Sequence, residues 1–257
     1  MTKLGRIALT SLLAGASFQA AAIVPIDTKA NPEDGWSGNV GLGLKGKSGS
    51  KDEQEYNVNF LLRNVKGERT ALLLTDYNYA ETNDKKDEDD LFVHGRWIEN
   101  NFFRPMLDWE LFAQYQYDEF DDLSSRKLAG TGVRWRFEDE TENGKLHTSF
   151  GAGGFLEEEE AESTGEEDTN WRGNFYGKWV WDRNGEFPFS LYGRLYFQPV
   201  LDDLGDIRAT GNGGIKFGIT EDLALHVEAE VEYDSEPFDE ADSTNVEYGV
   251  KLSYAFN

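Results

Sequence analysis

The chain has 257 residues, and its 49 acidic side chains against 25 Lys and Arg give a formal net charge of -24. This balance excludes nucleic acid as a partner, because phosphate binding needs clustered basic side chains. The sequence contains no Cys, which excludes disulfides, thiolate metal sites and a cysteine nucleophile.

The first 22 residues, MTKLGRIALTSLLAGASFQAAA, have the pattern of a secretory signal. Lys3 and Arg6 precede an apolar stretch, and Ala20 and Ala22 suit a small-residue cleavage site. The alternative is an N-terminal membrane anchor, but the apolar stretch is shorter than the roughly 20 residues that a spanning helix needs. We therefore predict a cleaved signal, then a periplasmic segment at 23–35 and one barrel domain over 36–257.

The rest of the chain reads as strands with alternating polar and apolar side chains. Lengths near ten residues are typical of tilted membrane strands. The twelve candidates are 36–45, 56–64, 69–80, 91–98, 107–117, 126–137, 145–156, 169–181, 187–199, 207–218, 223–233 and 245–256. This pattern predicts an all-β fold, a single antiparallel up-and-down transmembrane β-barrel of about 12 strands.

The connections between the candidate strands differ in length and charge. The odd-numbered ones are longer and mostly acidic, and lie at 46–55, 81–90, 118–125, 157–168, 200–206 and 234–244. The even-numbered ones are mostly tighter and include compact hairpin sequences such as DRNGE and ITED. Long outer loops, short periplasmic turns and an even strand count indicate the bacterial outer membrane.

The candidate strand LALHVEAEVEY at 223–233 decides which face of the barrel is polar. Glu228, Glu230 and Glu232 would each cost several kcal/mol in a sealed apolar core, but far less in a wet lumen. We predict that they point inward, with Lys216 and Lys251 as partners. The other predicted lumen charges are Arg134, Arg136, Arg172, Arg194 and Arg208.

Aromatic residues at the apolar positions of the alternating pattern fall into two groups, one near each end of the strands. Rings of amphipathic aromatics are favoured at the two membrane–water interfaces. The periplasmic belt is predicted from Trp36, Trp97, Trp109, Trp135 and Trp181, and the outer belt from Tyr56, Tyr79, Tyr117, Tyr233 and Tyr248.

The C-terminal stretch EYGVKLSYAFN resembles the assembly signal of outer-membrane barrels through Gly249, Leu252, Tyr254 and Phe256. The mature chain also resembles the YdiY-like family of salt-induced outer-membrane proteins. The motifs are WSGNVGLGL, YDEFDDLSSRKLAGTGVRWRF, GAGGFLEEEE, DIRATGNGGIKFGITEDLAL and YDSEP, whereas KSGSKDEQ departs from the turn usual in the family. The resemblance implies outer-membrane residence and a link to salt stress, without catalytic residues.

Three functions stay open: a structural or stress-related envelope protein with a closed lumen, a narrow solute or ion channel, and an outer-rim hydrolase using His94 beside Ser124 and Ser125. We expect the protein to have no enzymatic activity and no cofactor. We also expect no dedicated metal site, only weak Ca²⁺ or Mg²⁺ binding to the acidic segment 157–168. The expected partners are outer-membrane lipid, lipopolysaccharide and the barrel assembly machinery. We expect the protein to be a monomer.

Overall fold

The computed structural model describes residues 34–48, 51–185, 188–220, 223–237 and 242–256, without the side chains of Glu247, Lys251, Ala255 and Phe256. These residues form twelve antiparallel strands in one closed barrel, so the predicted fold class and strand number are confirmed. The predicted signal peptide lies outside the described residues. No helix within the described ranges has the length and hydropathy needed to cross a membrane.

Neighbouring strands follow one another around the barrel, as in an up-and-down meander. Their bounds are β1 Gly35–Lys47, β2 Glu53–Lys66, β3 Arg69–Thr82, β4 Lys85–Arg104, β5 Leu107–Asp118, β6 Leu123–Thr141, β7 Gly144–Ala161, β8 Glu167–Arg183, β9 Phe189–Pro199, β10 Ile207–Gly218, β11 Leu223–Asp234 and β12 Thr244–Phe256. We call the end where β1 connects to β2 the loop end, and the opposite end the turn end.

Several strands extend farther toward the loop end than the sequence predicts. The predicted loop 81–90 is a hairpin whose turn residues Asn83 and Asp84 have φ angles of 50° and 62°, which suits a tight hairpin turn. Likewise, β7 continues to Ala161 and takes up the first part of the predicted loop 157–168. These two acidic segments are therefore largely paired strands, because backbone pairing continues where the side chains change from apolar to acidic.

The barrel is inverted relative to a soluble protein. Leu195 and Tyr248 on the outer face are 70% and 80% exposed, whereas Arg134 and Glu157 on the inner face are 2% and 1% exposed. A soluble barrel hides its apolar face, and a membrane barrel turns it toward lipid. The distribution of side chains is therefore that of a membrane-spanning barrel.

The barrel closes through an incomplete seam between β1 and β12. These strands are paired at Gly38–Phe256, Asn39–Ala255 and Val40–Tyr254, all toward the turn end. By contrast, β1 is paired with β2 from Gly35 to Lys47. Within the described residues, the loop-end half of the seam has no backbone ladder.

Candidate functional site in the lumen

The loop-end part of the lumen holds an ion network between strands β6 and β11. Glu157 on β7 lies between three guanidinium groups: Arg126 at 2.7 Å, Arg172 in a short ion pair, and Arg208 at 3.2 Å. Its side chain is fully buried. A lone buried carboxylate would be costly, so the surrounding positive charge is what allows Glu157 to be ionised there.

Two further ion pairs of this loop-end network are bidentate. Arg208 on β10 donates from Nη1 and Nη2 to the two carboxylate oxygens of Glu159 at 2.7 and 2.8 Å. It also donates from Nε to Asp234 at 2.6 Å. Arg172 donates in the same forked way to Asp206, at 2.9 and 3.0 Å. This geometry fixes both partners in orientation as well as in distance.

A second network lies near the turn end and involves strands β4, β5, β6 and β8. Asp108 is 2.7 Å from both Arg134 and Arg136, measured from guanidinium nitrogen to carboxylate oxygen. Glu110 is 3.3 Å from Arg134 and 3.8 Å from Arg96, and it accepts a hydrogen bond from the Tyr176 hydroxyl at 2.8 Å.

An aromatic layer separates the two networks. Phe112, Leu128, Phe155, Tyr176 and Tyr196 form one buried cluster in the middle of the lumen. Gly151 leaves the room for this layer, because a Cβ atom there would come within about 2.0 Å of the Tyr176 ring. An ionic, an aromatic and a second ionic layer therefore follow one another along the lumen beside β4–β10.

The comparisons with known proteins place the chain in a family. A family model described as a protein of unknown function, DUF481, matches residues 40–256. The chain belongs to this family. DUF481 is the YdiY-like outer-membrane family, so the resemblance drawn from the sequence motifs is confirmed. The DUF481 chain is accordingly an outer-membrane β-barrel protein.

Two solved structures show how the DUF481 barrel compares in fold. The NanC porin has a TM-score of 0.48 and 11% sequence identity, over 85% of this chain and 98% of that chain. The β domain of the Bordetella autotransporter Brka has a TM-score of 0.43 and 14% identity, over 86% and 98% respectively. No curated protein is significantly similar in sequence to this chain.

The predicted lumen charges whose side chains are described lie on inward positions of the DUF481 barrel, and two of the three glutamates hydrogen-bond to neutral groups. Glu228 accepts a hydrogen bond from the Tyr192 hydroxyl at 2.7 Å, and Glu230 accepts one from the Asn212 amide at 3.1 Å. Lys216 and Lys251 were the predicted partners, and the strand register pairs Lys216 with His226.

The other predicted lumen residues divide between the two networks and the wall beside them. Arg134 and Arg136 belong to the turn-end network, and Arg172 and Arg208 to the loop-end network. Arg194 lies over the Tyr192 ring, with 5.3 Å from its Cζ to the ring centre. Glu232 is paired in register with Thr210 and Asn245. The side chain of Lys251 lies outside the described part of the structure.

Sequence reasoning missed the acidic half of both networks. Asp108 and Glu110 alternate with Trp109 and Leu111 along β5, and this alternation was available as a signal. Glu157 and Glu159 were assigned to a loop. They lie two and four positions after Phe155 and therefore point into the lumen as Phe155 does. A predicted strand that continued four residues farther would have included them.

His94 lies in the lumen and not at the rim, which corrects the predicted juxtaposition with Ser124 and Ser125. Its ring stacks between Phe92 and Phe112, with centroid distances of 6.1 and 6.3 Å. Its Nδ1 is 3.1 Å from the Gln114 Oε1 atom, and Arg96 donates to its Nε2 at 3.3 Å. Both ring nitrogens are therefore engaged within a buried stack.

All ten aromatics predicted for the belts lie on outward positions of the barrel wall. The polar tips of two examples point away from the middle of the wall. Trp97 donates to Glu99 at 3.1 Å toward the turn end, whereas Tyr79 donates to Glu81 at 2.9 Å toward the loop end. This is the arrangement that two membrane–water interfaces favour, since each ring keeps its polar atom in the wet layer.

The C-terminal strand carries the residues of the predicted assembly signal. Leu252 and Tyr254 are exposed on the outer face of β12, at 55% and 52%, and Gly249 is paired with Glu228. The side chain of Phe256 lies outside the described part. Within the described residues, no group of three or more acidic or histidine side chains forms a metal site.

Proposed function

We propose that this DUF481 protein is a structural, salt- or stress-related component of the bacterial outer membrane, whose lumen is closed by its ion networks. The loop end faces the outside, where its acidic strand extensions meet lipopolysaccharide. We propose that it has no enzymatic activity, that a cleaved secretory signal directs its export and that the barrel assembly machinery inserts it. The link to salt stress follows from the family.

The observation that carries the proposal is contact between strands that are not neighbours in the wall. Arg208 on β10 binds Glu159 on β7, and the Tyr176 hydroxyl on β8 binds Glu110 on β5. Each contact runs across the lumen past two intervening strands. Glu110, Glu159 and Tyr176 are buried and the Arg208 side chain is 15% exposed, so water has little access between them, which supports a closed lumen on this side.

A narrow channel is the second candidate, and the opposite wall favours it. Glu228, Glu230 and Glu232 on β11 and Asn57 and Asn59 on β2 are only half-buried. A barrel of twelve strands lies between small barrels that side chains fill and porins that hold an open water channel. A passage along this wall would favour cations because of its three carboxylates.

Ion current through the purified barrel in a planar bilayer separates the two candidates. We expect no discrete openings from the parent, and openings from a variant that carries Arg208→Ala and Glu159→Ala. Discrete openings in the parent that lose cation preference when Glu228, Glu230 and Glu232 are changed to Gln would establish the channel instead. Insertion is checked independently by protease protection of the barrel in vesicles.

The stress assignment has its own test in the host cell. Cells that lack the protein are expected to grow more slowly at high NaCl, and to recover when the parent chain is supplied. Equal growth of both strains across salt concentrations would remove the stress role, while leaving the closed barrel in place.

A further inference from the structure

A bulge at the turn end interrupts the pairing of β4 with β5. Glu99 is paired with Trp109, and the next pair in register is Arg104 with Leu107, so β4 takes more residues than β5 to cover the same distance. Phe102 and Phe103 lie in this β4–β5 bulge and are 56% and 58% exposed. Bulges commonly redirect side chains, and this one presents two neighbouring aromatic rings at the surface.

Polar groups hold the β4–β5 bulge in a fixed conformation. The backbone N–H of Asn101 donates to the carboxylate of Asp108 at 2.9 Å, and the backbone N–H of Met106 donates to Asn101 Oδ1 at 2.9 Å. Met106 follows Pro105 and has a φ angle of 66°, which is the position of a type II turn that Gly usually occupies. The bulge is therefore held by specific hydrogen bonds in spite of an unfavourable backbone angle.

The exposed rings continue the apolar outer wall of the barrel. The centroid of the Phe102 ring is 4.8 Å from that of Phe103 and 5.6 Å from that of Trp109, which lies on the outward side of β5. The indole N–H of Trp109 donates to the Thr131 hydroxyl at 2.8 Å, so it is already satisfied within the wall. Exposed apolar surface that is continuous with a lipid-facing wall is a candidate membrane contact.

An exposed cation comes directly after the two rings. Arg104 is paired in register with Leu107, whose neighbour Asp108 points into the lumen, so Leu107 and Arg104 both lie on the outward side. Among the described residues Arg104 forms no ion pair, whereas Arg69 at the same end is 3.1 Å from Glu99. A guanidinium group matches the geometry of a phosphate, and it reaches the headgroup level while its stem stays on apolar surface.

We propose that the β4–β5 bulge anchors the barrel in the phospholipid leaflet at the turn end. The Phe102 and Phe103 rings lie at the boundary of the acyl chains, and Arg104 binds the phosphate of one phospholipid. The inference rests on the proposed function only for the side of the membrane, since the turn end then faces the periplasm. It depends neither on a closed lumen nor on the stress role.

Immersion of the bulge is measured with nitroxide labels, since the chain has no native Cys. Labels are placed by Phe103→Cys, by Leu195→Cys on the exposed outer wall of β9, and by Glu142→Cys in the exposed β6–β7 turn. In lipid vesicles we expect oxygen to reach the first two labels severalfold more readily than a nickel chelate does, and the reverse at the Glu142 position.

The label on the outer wall separates two kinds of failure. Lipid at the Leu195 position with water at the Phe103 position overturns the anchor alone, and leaves a periplasmic protein as the occupant of this surface. Water at both positions refutes the membrane barrel and the anchor with it. Heat-dependent gel migration confirms that each labelled variant has folded.

The phosphate contact is measured by native mass spectrometry of the full chain released from phosphatidylglycerol bilayers. We expect the parent to retain one lipid molecule, and Arg104→Gln to lower the retained fraction at least threefold. Lys66→Gln is the matched control, because it removes an exposed cation at the same end, and it should retain lipid as the parent does. No retention by the parent, or equal retention by Arg104→Gln, overturns the proposal.

Discussion

The Tyr176 hydroxyl donates a hydrogen bond to Glu110 at 2.8 Å, joining β8 to β5 across the lumen. The same tyrosine ring belongs to the aromatic layer, so one side chain links that layer to the turn-end network. Glu110 also has Arg134 and Arg96 beside it. The turn-end network and the aromatic layer are therefore one connected structure and not separate patches.

Removing this hydroxyl should lower stability without changing the packing. Tyr176→Phe leaves a buried carboxylate oxygen without its donor, and we expect the free energy of unfolding to fall by about 1–3 kcal/mol. Urea unfolding in lipid vesicles measures the change. Tyr233→Phe, on the exposed outer face, is the matched control and should change stability by less than about 0.5 kcal/mol. Equal effects of the two changes would show that the cross-lumen bond contributes nothing.

Adjacent glutamates on β7 should behave very differently. Glu157 is buried among three arginines, whereas Glu158 points outward and forms an exposed pair with Lys127 at 2.9 Å. Glu157→Gln leaves buried guanidinium charge uncompensated, and we expect a loss of about 3–5 kcal/mol. Glu158→Gln should cost no more than about 1 kcal/mol, as is usual for exposed pairs. If unfolding by guanidinium chloride gave the reverse order, the inward assignment of Glu157 would be wrong.

The open half of the β1–β12 seam can be tested by cross-linking, because the chain has no native Cys. Val40 and Tyr254 are paired in the seam, so the variant with Cys at both positions should form a disulfide. Continuing the same register would place Leu44 opposite Val250, where the described structure has no ladder. We expect that double Cys variant to remain reduced under mild oxidation, as judged by gel mobility and thiol labelling.

Efficient cross-linking of the Leu44 and Val250 positions would show that the ladder runs the full length of the seam. Both side chains lie on the outer face of the barrel, at 77% and 51% exposure. Amides that lack a ladder partner have no hydrogen bond to protect them, so the seam-facing amides of this half should also be the first in β1 and β12 to exchange. Slow exchange there would contradict the open seam in a second way.

The strand pattern was readable because the barrel imposes one rule on every strand. Outward residues face lipid and inward ones face a polar lumen, so alternation marked β8 through Trp171 and Phe175 as clearly as β11. The rule weakens where strands leave the membrane. At the loop end of β7, acidic residues occupy both faces, and the sequence was interpreted there as a loop.

The partners across the lumen were not predictable in the same way. Contacts between adjacent strands follow from register, but Arg208 and Glu159 lie on strands separated by two others. Their meeting depends on the shape of the lumen and on the length of the arginine side chain. The alternation of polar and apolar residues predicts that both side chains point inward. It does not predict which of the many other inward charges each one contacts.

The loop between β5 and β6 should make stability depend on pH. Burial, followed by the charges of Asp118 and Asp242, raises the pKa of Asp121 to about 6 from its usual 3.8. Between these two values the folded protein holds a proton that the unfolded chain has released. Stability should therefore decrease as pH rises through this window, and the ionised Asp121 should be unfavourable at neutral pH.

Asp121→Asn should remove that dependence. We expect the variant to be more stable than the parent at pH 7 and nearly equal to it at pH 4, with the difference developing mainly between pH 4 and 6. Urea unfolding in EDTA measures this without interference from divalent cations. Asp84→Asn, at the exposed β3–β4 turn, is the control and should shift stability by a similar small amount at every pH. A difference between Asp121→Asn and the parent that stays constant from pH 4 to 7 would mean that Asp121 does not titrate in this range.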